Sequence, residues 1–150
     1  MEIERRGTIN APADQVWESV KDFGTIHVWS AVKSATVVGE GEGAVRNIEL
    51  PDGNFIDERL ETLDEENRRL EYSILTERVP YKDYLGVMEV VDLGNETCEV
   101  IWSCTCEPTI PEKAAERNMG GFYEAGIAGL KRLHEGEITP ADRNEPFHSE

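Results

Sequence analysis

Apolar and polar residues alternate through the middle of the chain with the two-residue period of a half-buried strand. Five such stretches, 44–50, 55–63, 68–76, 82–92 and 97–107, follow one another. They are separated by Pro51-Asp-Gly-Asn, Asp64-Glu-Glu-Asn, Glu77-Arg-Val-Pro and Asp92-Leu-Gly-Asn, all rich in turn formers. Residues 3–9 and the β-branched run in 35–39 add two more strands. Regular spacing with short connections predicts one antiparallel sheet.

The period changes to that of a helix in two places. After residue 10, Val16, Trp17, Val20 and Phe23 recur at helical spacing, with Asn10 read as the cap, Pro12 in the first turn and Gly24 as the stop. Residues 112–134 form a longer helix behind Pro111, with Ala115, Met119, Phe122, Leu130 and Leu133 on its apolar side. Gly120, Gly121, Gly126 and Gly129 interrupt it, each at a cost of about 1 kcal/mol against alanine. Four such glycines imply either close packing against the sheet or room left for something else. Strand, helix, strands and one long terminal helix give an α+β fold with a single helix covering the sheet.

Strand parity assigns faces. Ile56, Glu58, Leu60 and Thr62 share one side; Asp57, Arg59 and Glu61 share the other. Leu70, Tyr72 and Ile74, then Tyr84, Gly86, Met88 and Val90, then Val100, Trp102, Cys104 and Cys106, are the matching inward sets. The helix is expected to add Met119, Phe122, Tyr123 and Ile127.

Composition narrows the function. The chain has 150 residues, enough for one domain with a sizeable core. Its net charge of −16 repels phosphate backbones and anionic lipid, so neither nucleic acid nor membrane insertion is expected. No apolar run reaches the roughly 20 residues of a membrane span, and the start lacks a signal-peptide pattern, so a cytoplasmic location is expected. The cysteines at 98, 104 and 106 lack further ligands at zinc spacing and read as buried thiols. No metal and no cofactor are expected. Residues 136–150 read as a flexible acidic tail behind a domain of residues 1–135.

The order Ala11-Pro-Ala-Asp-Gln-Val-Trp, Asp22-Phe-Gly, Trp29, Gly43-Ala-Val-Arg, Asp57-Glu-Arg-Leu-Glu-Thr-Leu-Asp, Leu70-Glu-Tyr-Ser-Ile and Lys82-Asp-Tyr resembles the START-like, or Bet v 1-like, superfamily. It is most similar to the polyketide cyclase/dehydrase-like branch, over about residues 3–134. The resemblance implies a helix-grip fold: a curved seven-stranded antiparallel sheet wrapped around the long C-terminal helix, with two short helices after strand 1 and an apolar cavity between.

Local likeness to the plant abscisic-acid receptors maps a ligand-gripping lysine onto Lys33 and a pocket glutamate onto Glu58. That family's gate and latch sequences are missing at Pro51-Asp-Gly-Asn and Val79-Pro-Tyr, and Cys104 and Gly129 stand where it has a pocket tyrosine and asparagine. Abscisic acid itself is therefore not implied.

An inward carboxylate at Glu58 needs a cation or a raised pKa, and Lys33 is the expected partner. The expected ligand-binding set is Lys33, Glu58, Leu60, Tyr72, Tyr84, Met88, Trp102, Cys104, Met119, Phe122, Tyr123 and Ile127. In the family's layout His27 and Trp29 flank the entrance. The expected partner is a small hydrophobic molecule, aromatic, polyketide-like or lipid-like, with one polar or carboxylate group. The protein would bind it as carrier or sensor, in a monomer or homodimer. The alternative is a cyclase/aromatase using a tyrosine, Glu58 or His27 as acid or base. A chaperone-like role would need an apolar outer face, which the outward charges oppose.

Overall fold

A proline, not the expected asparagine, opens the first helix. The computed structural model describes residues 1–136. In it β1 (Glu2–Ile9) runs into α1 (Ala13–Lys21), whose N-cap position is Pro12 with no side-chain cap. Asn10 instead donates its backbone N–H to Glu135 at the far end of the chain. The helix ends at Lys21, short of Gly24, and a 3-10 turn (Phe23–Val28) carries the chain on. Phe23 thus belongs to the turn, which buries it with Ile26 and Val28.

The strands β2 (Ser34–Val38), β3 (Val45–Glu49), β4 (Phe55–Asp64), β5 (Arg69–Ile74), β6 (Tyr81–Gly94) and β7 (Thr97–Pro108) follow, and α2 (Glu112–His134) closes the fold. All pair antiparallel in one seven-stranded sheet of order β1-β7-β6-β5-β4-β3-β2. This is the curved helix-grip architecture that the alternating pattern and the resemblance predict. The expected tail, 136–150, lies outside the described residues beyond Gly136. Among the described residues no helix is long and apolar enough to cross a membrane.

Parity holds where it matters. Ile56, Glu58, Leu60, Leu70, Tyr72, Tyr84, Met88, Val100, Trp102 and Cys104 are buried. Register slips between Leu60 and Thr62 in the β4–β5 pair, which ends the alternation there. The outer face carries ion pairs instead, among them Arg59–Glu61, Arg69–Glu71 and Arg6–Glu99. Each such exposed pair adds at most about 1 kcal/mol. All three cysteines are free, buried thiols.

Helix α2 leans on β1 and β7. Its glycines answer the question they raised. A Cβ on Gly126 would lie 2.5 Å from the Trp102 ring, and one on Gly129 only 1.7 Å from the Trp29 carbonyl oxygen. One on Gly120 would strike the Arg5 guanidinium, which bridges Glu116 and Glu124. Three of the four are therefore close approaches; Gly121 faces open space.

At its C-terminal end α2 is tied to α1 by His134. Gln15 Nε2 lies 3.1 Å from His134 Nδ1, and Ser19 Oγ 2.8 Å from Nε2. Burial lowers the His134 pKa from its ordinary 6.5, because the imidazolium loses its water. The unfolded chain therefore takes up this proton first as pH falls. The contribution to stability is complete above pH 6.5 and is lost on acidification through the lowered folded value. Thermal melts between neutrality and about pH 5 should show a loss of stability that His134→Gln diminishes.

Candidate functional site

Because α2 rests on the β1–β7 side, the opposite half of the grip stays partly open. A cavity of about 210 Å³ lies there. Ile48, Leu50, Ile56, Ile74, Val79, Pro80, Met119 and Phe122 give it apolar walls, and Tyr81 and Asn118 also border it. Glu58, Tyr72 and Tyr84 supply polar atoms within. It is smaller than the usual ligand pocket of about 300–1,000 Å³.

What fills the remainder of the interior is an aromatic cluster. Trp102 stacks on Tyr123 with ring centroids 4.5 Å apart and meets Trp29 and Phe122 edge-on. Trp102 Nε1–H donates to the Tyr72 hydroxyl at 2.8 Å, Tyr72 and Tyr84 hydroxyls are 2.9 Å apart, and Tyr84 bonds in turn to Tyr123. The Tyr123 hydroxyl also reaches the Cys104 thiol. Gly86 exists to seat this cluster: a Cβ there would lie 2.3 Å from the Tyr72 ring.

Burial pushes the Tyr72, Tyr84 and Tyr123 hydroxyls upward, and the Cys104 thiol up to about 12. These groups are consequently neutral hydrogen-bonding partners, not bases.

The charged feature lies beside them. Arg46 on β3 stands opposite Glu58 on β4 in the strand register. Its Nε–H donates to Glu58 Oε1 at 2.8 Å and its Nη2 lies 2.8 Å from the same oxygen. The guanidinium is 3.9 Å from the Phe23 ring centroid and 5.0 Å from that of Tyr72, and it also donates to the Phe23 carbonyl. Arg46 is 3% and Glu58 7% exposed, so the pair is desolvated. Burial raises the Glu58 pKa and the Arg46 charge opposes that rise. The Nε–H bond and the guanidinium charge at the same oxygen favour the ionised carboxylate against the burial that raises its pKa.

This arrangement corrects the expected site. Lys33 does not face the cavity: its side chain is 67% exposed and pairs with Glu49 at 3.7 Å. The cation that meets Glu58 is Arg46, its neighbour across the β3–β4 pair. Glu58, Tyr72, Tyr84, Met119 and Phe122 do line the cavity. Met88, Trp102, Cys104, Tyr123 and Ile127 are buried behind or beside it as core. Leu60 borders a different groove, together with Phe23 and Val37. Trp29 is buried against Trp102 and Gly129 instead of flanking an entrance, and His27 is not among the cavity walls. Leu50, Val79, Pro80 and Tyr81 line the cavity too; Leu50 shares the inward parity of Ile48, whereas Val79 and Pro80 lie in the turn before β6, where alternation assigns no face.

The family profile described as "Polyketide cyclase / dehydrase and lipid transport" matches residues 1–135. Among solved structures, XoxI from Bacillus cereus is 27% identical, with 89% of this chain and 95% of that one covered and a TM-score of 0.83. The di-domain ARO/CYC BexL of the BE-7585A biosynthetic pathway is 20% identical, covering 90% of this chain and 46% of that one, at a TM-score of 0.77. Norcoclaurine synthase from Thalictrum flavum, solved with dopamine and hydroxybenzaldehyde, is 19% identical over 93% of this chain and 88% of that one, at 0.74. At these last two identities the likeness is one of fold. A comparison with curated proteins finds no match.

Proposed function

The chain belongs to the polyketide cyclase/dehydrase and lipid transport family, and from that premise we propose that residues 1–135 bind a small hydrophobic molecule in the cavity beneath α2, as a carrier or sensor in the cytoplasm. The observation that carries this reading is the cavity itself: mostly apolar walls with Glu58, Asn118 and three tyrosines as the polar residues among them. Apolar surface drives entry, and the few polar atoms orient what enters. The modest volume, about 210 Å³, favours one or two fused rings over a long acyl chain.

Two substitutions test it. Met119→Trp fills the space and should weaken binding of a fluorescent aromatic probe at least about tenfold, equivalent to 1.4 kcal/mol. Lys33→Ala, outside the cavity, should leave the same affinity unchanged. Mass spectrometry of small molecules that co-purify with the protein identifies the natural ligand. Probe affinity indifferent to Met119→Trp sinks the reading.

A second reading, a cyclase or aromatase, is favoured by one specific feature. Glu58 lines the cavity beside two neutral tyrosines, and the Arg46 contacts to its carboxylate fall on Oε1. A carboxylate so placed is suited to take a proton from a carbon between two carbonyls, while a tyrosine hydroxyl donates to the developing enolate oxygen. Turnover of an aromatic polyketide intermediate, with kcat lost and KM kept in Glu58→Gln, would move the assignment from carrier to enzyme.

A further inference from the structure

We infer that the cavity selects neutral ligands carrying a hydroxyl or N–H donor and rejects carboxylates, because Glu58 already occupies the anion site that Arg46 would otherwise offer. This rests on the cavity being the ligand site and specifies the chemistry it reads.

Among the described residues the buried charged side chains are Arg46 and Glu58. Both Arg46 contacts to the carboxylate go to Oε1. The guanidinium's other partners are the Phe23 carbonyl and the faces of Phe23 and Tyr72. Arg46 is thereby fully engaged, and it is not itself a wall of the cavity. Among the described residues no lysine, arginine or histidine is part of the walls. Arg78, bordering the adjoining groove, donates to the Phe55 carbonyl, and Lys33 is committed to Glu49 on the surface. A ligand carboxylate would enter an apolar space with no free cation, facing a carboxylate. It would lose its water and gain no counter-charge, only neutral donors such as Asn118 and the tyrosines, which do not offset the cost of burying an ion.

The polar atoms that remain favour the opposite kind of ligand. Glu58 lines the cavity and the Arg46 contacts fall on its Oε1, so Oε2 is the acceptor it offers a ligand. A phenol or enol hydroxyl reaching it makes a charge-assisted bond of the stronger class. Tyr72 and Tyr84 offer hydroxyls to a second oxygen, either of which can be the donor in the bond between them. The preferred ligand is a compact aromatic alcohol or enol, without ionised groups.

The test compares three probes of one shape by titration calorimetry: naphthalene, 2-naphthol and 2-naphthoate. The wild-type protein should bind 2-naphthol at least about tenfold more tightly than 2-naphthoate. Glu58→Gln keeps an oxygen for Arg46 but removes the negative charge that faces a ligand and leaves the guanidinium's charge uncompensated behind it. In that variant 2-naphthoate should gain at least about tenfold and the order should reverse. Wild-type binding of 2-naphthoate as tight as that of 2-naphthol overturns the inference while leaving the cavity as the ligand site. So does a folded Glu58→Gln protein in which 2-naphthoate gains nothing. If that variant does not fold, the wild-type pair of affinities decides by itself. If none of the three probes binds, the ligand-site reading is overturned and the selectivity with it.

Discussion

Arg46→Met should lower the unfolding free energy by about 3–5 kcal/mol, read from the midpoint of urea unfolding at constant slope. The cause is not the lost contact alone. Methionine leaves Glu58 buried at 7% exposure with no counter-charge, and a buried uncompensated carboxylate carries its full desolvation cost. The variant also loses the stacking of the guanidinium on Phe23, at 3.9 Å, worth about 1–2 kcal/mol where water is excluded. Adding Glu58→Leu to Arg46→Met should recover most of the loss, because two apolar side chains of suitable size replace a buried pair at little net cost. A double variant as unstable as the single one would show that the pair is not what holds β3 to β4 at this point.

Gly129→Ala should lower the melting temperature by about 6–12 °C, the equivalent of about 3 kcal/mol in a chain of this size. The added methyl would sit 1.7 Å from the Trp29 carbonyl oxygen, which is backbone and cannot rotate away. Either α2 lifts off or the segment after the 3-10 turn moves, and both disturb the Trp29–Trp102 contact. Gly121→Ala on the same helix is the control. Nothing lies within 4 Å of its would-be methyl, so it should raise stability by about 1 kcal/mol through helix propensity. Equal melting temperatures for the two variants would mean that the helix is not seated as described.

Both experiments bear on how far the sequence could be read. Arg46 could have been found: it shares parity with Ala44 and Ile48, which are buried, so alternation already turned it inward. The expectation for Lys33 rests instead on the likeness of the stretch Ala31-Val-Lys-Ser to the abscisic-acid receptors. That stretch leads into β2, the edge strand, where a side chain has water on one side and Glu49 within reach. The glycines at 120, 126 and 129 left two meanings open, because a missing side chain looks the same whether a ligand or a tryptophan fills the gap. Local capping rules point to Asn10 and Gly24, yet Pro12 and a 3-10 turn form the helix ends, where tertiary contacts with Glu135 and Val37 decide.

The sequence by itself determined the order of the elements, the inward face of each strand as far as Leu60, and the inward carboxylate of Glu58. These follow from periodicity, a property of neighbouring residues in one chain segment. Only the tertiary structure decided that Arg46 is the partner of Glu58, that Lys33 lies outside, and that tyrosines and a tryptophan leave a cavity of about 210 Å³. Those outcomes depend on strand register and on where a helix lands. The energy of a charge or a void is set by what surrounds it in space, which periodicity along one segment does not encode.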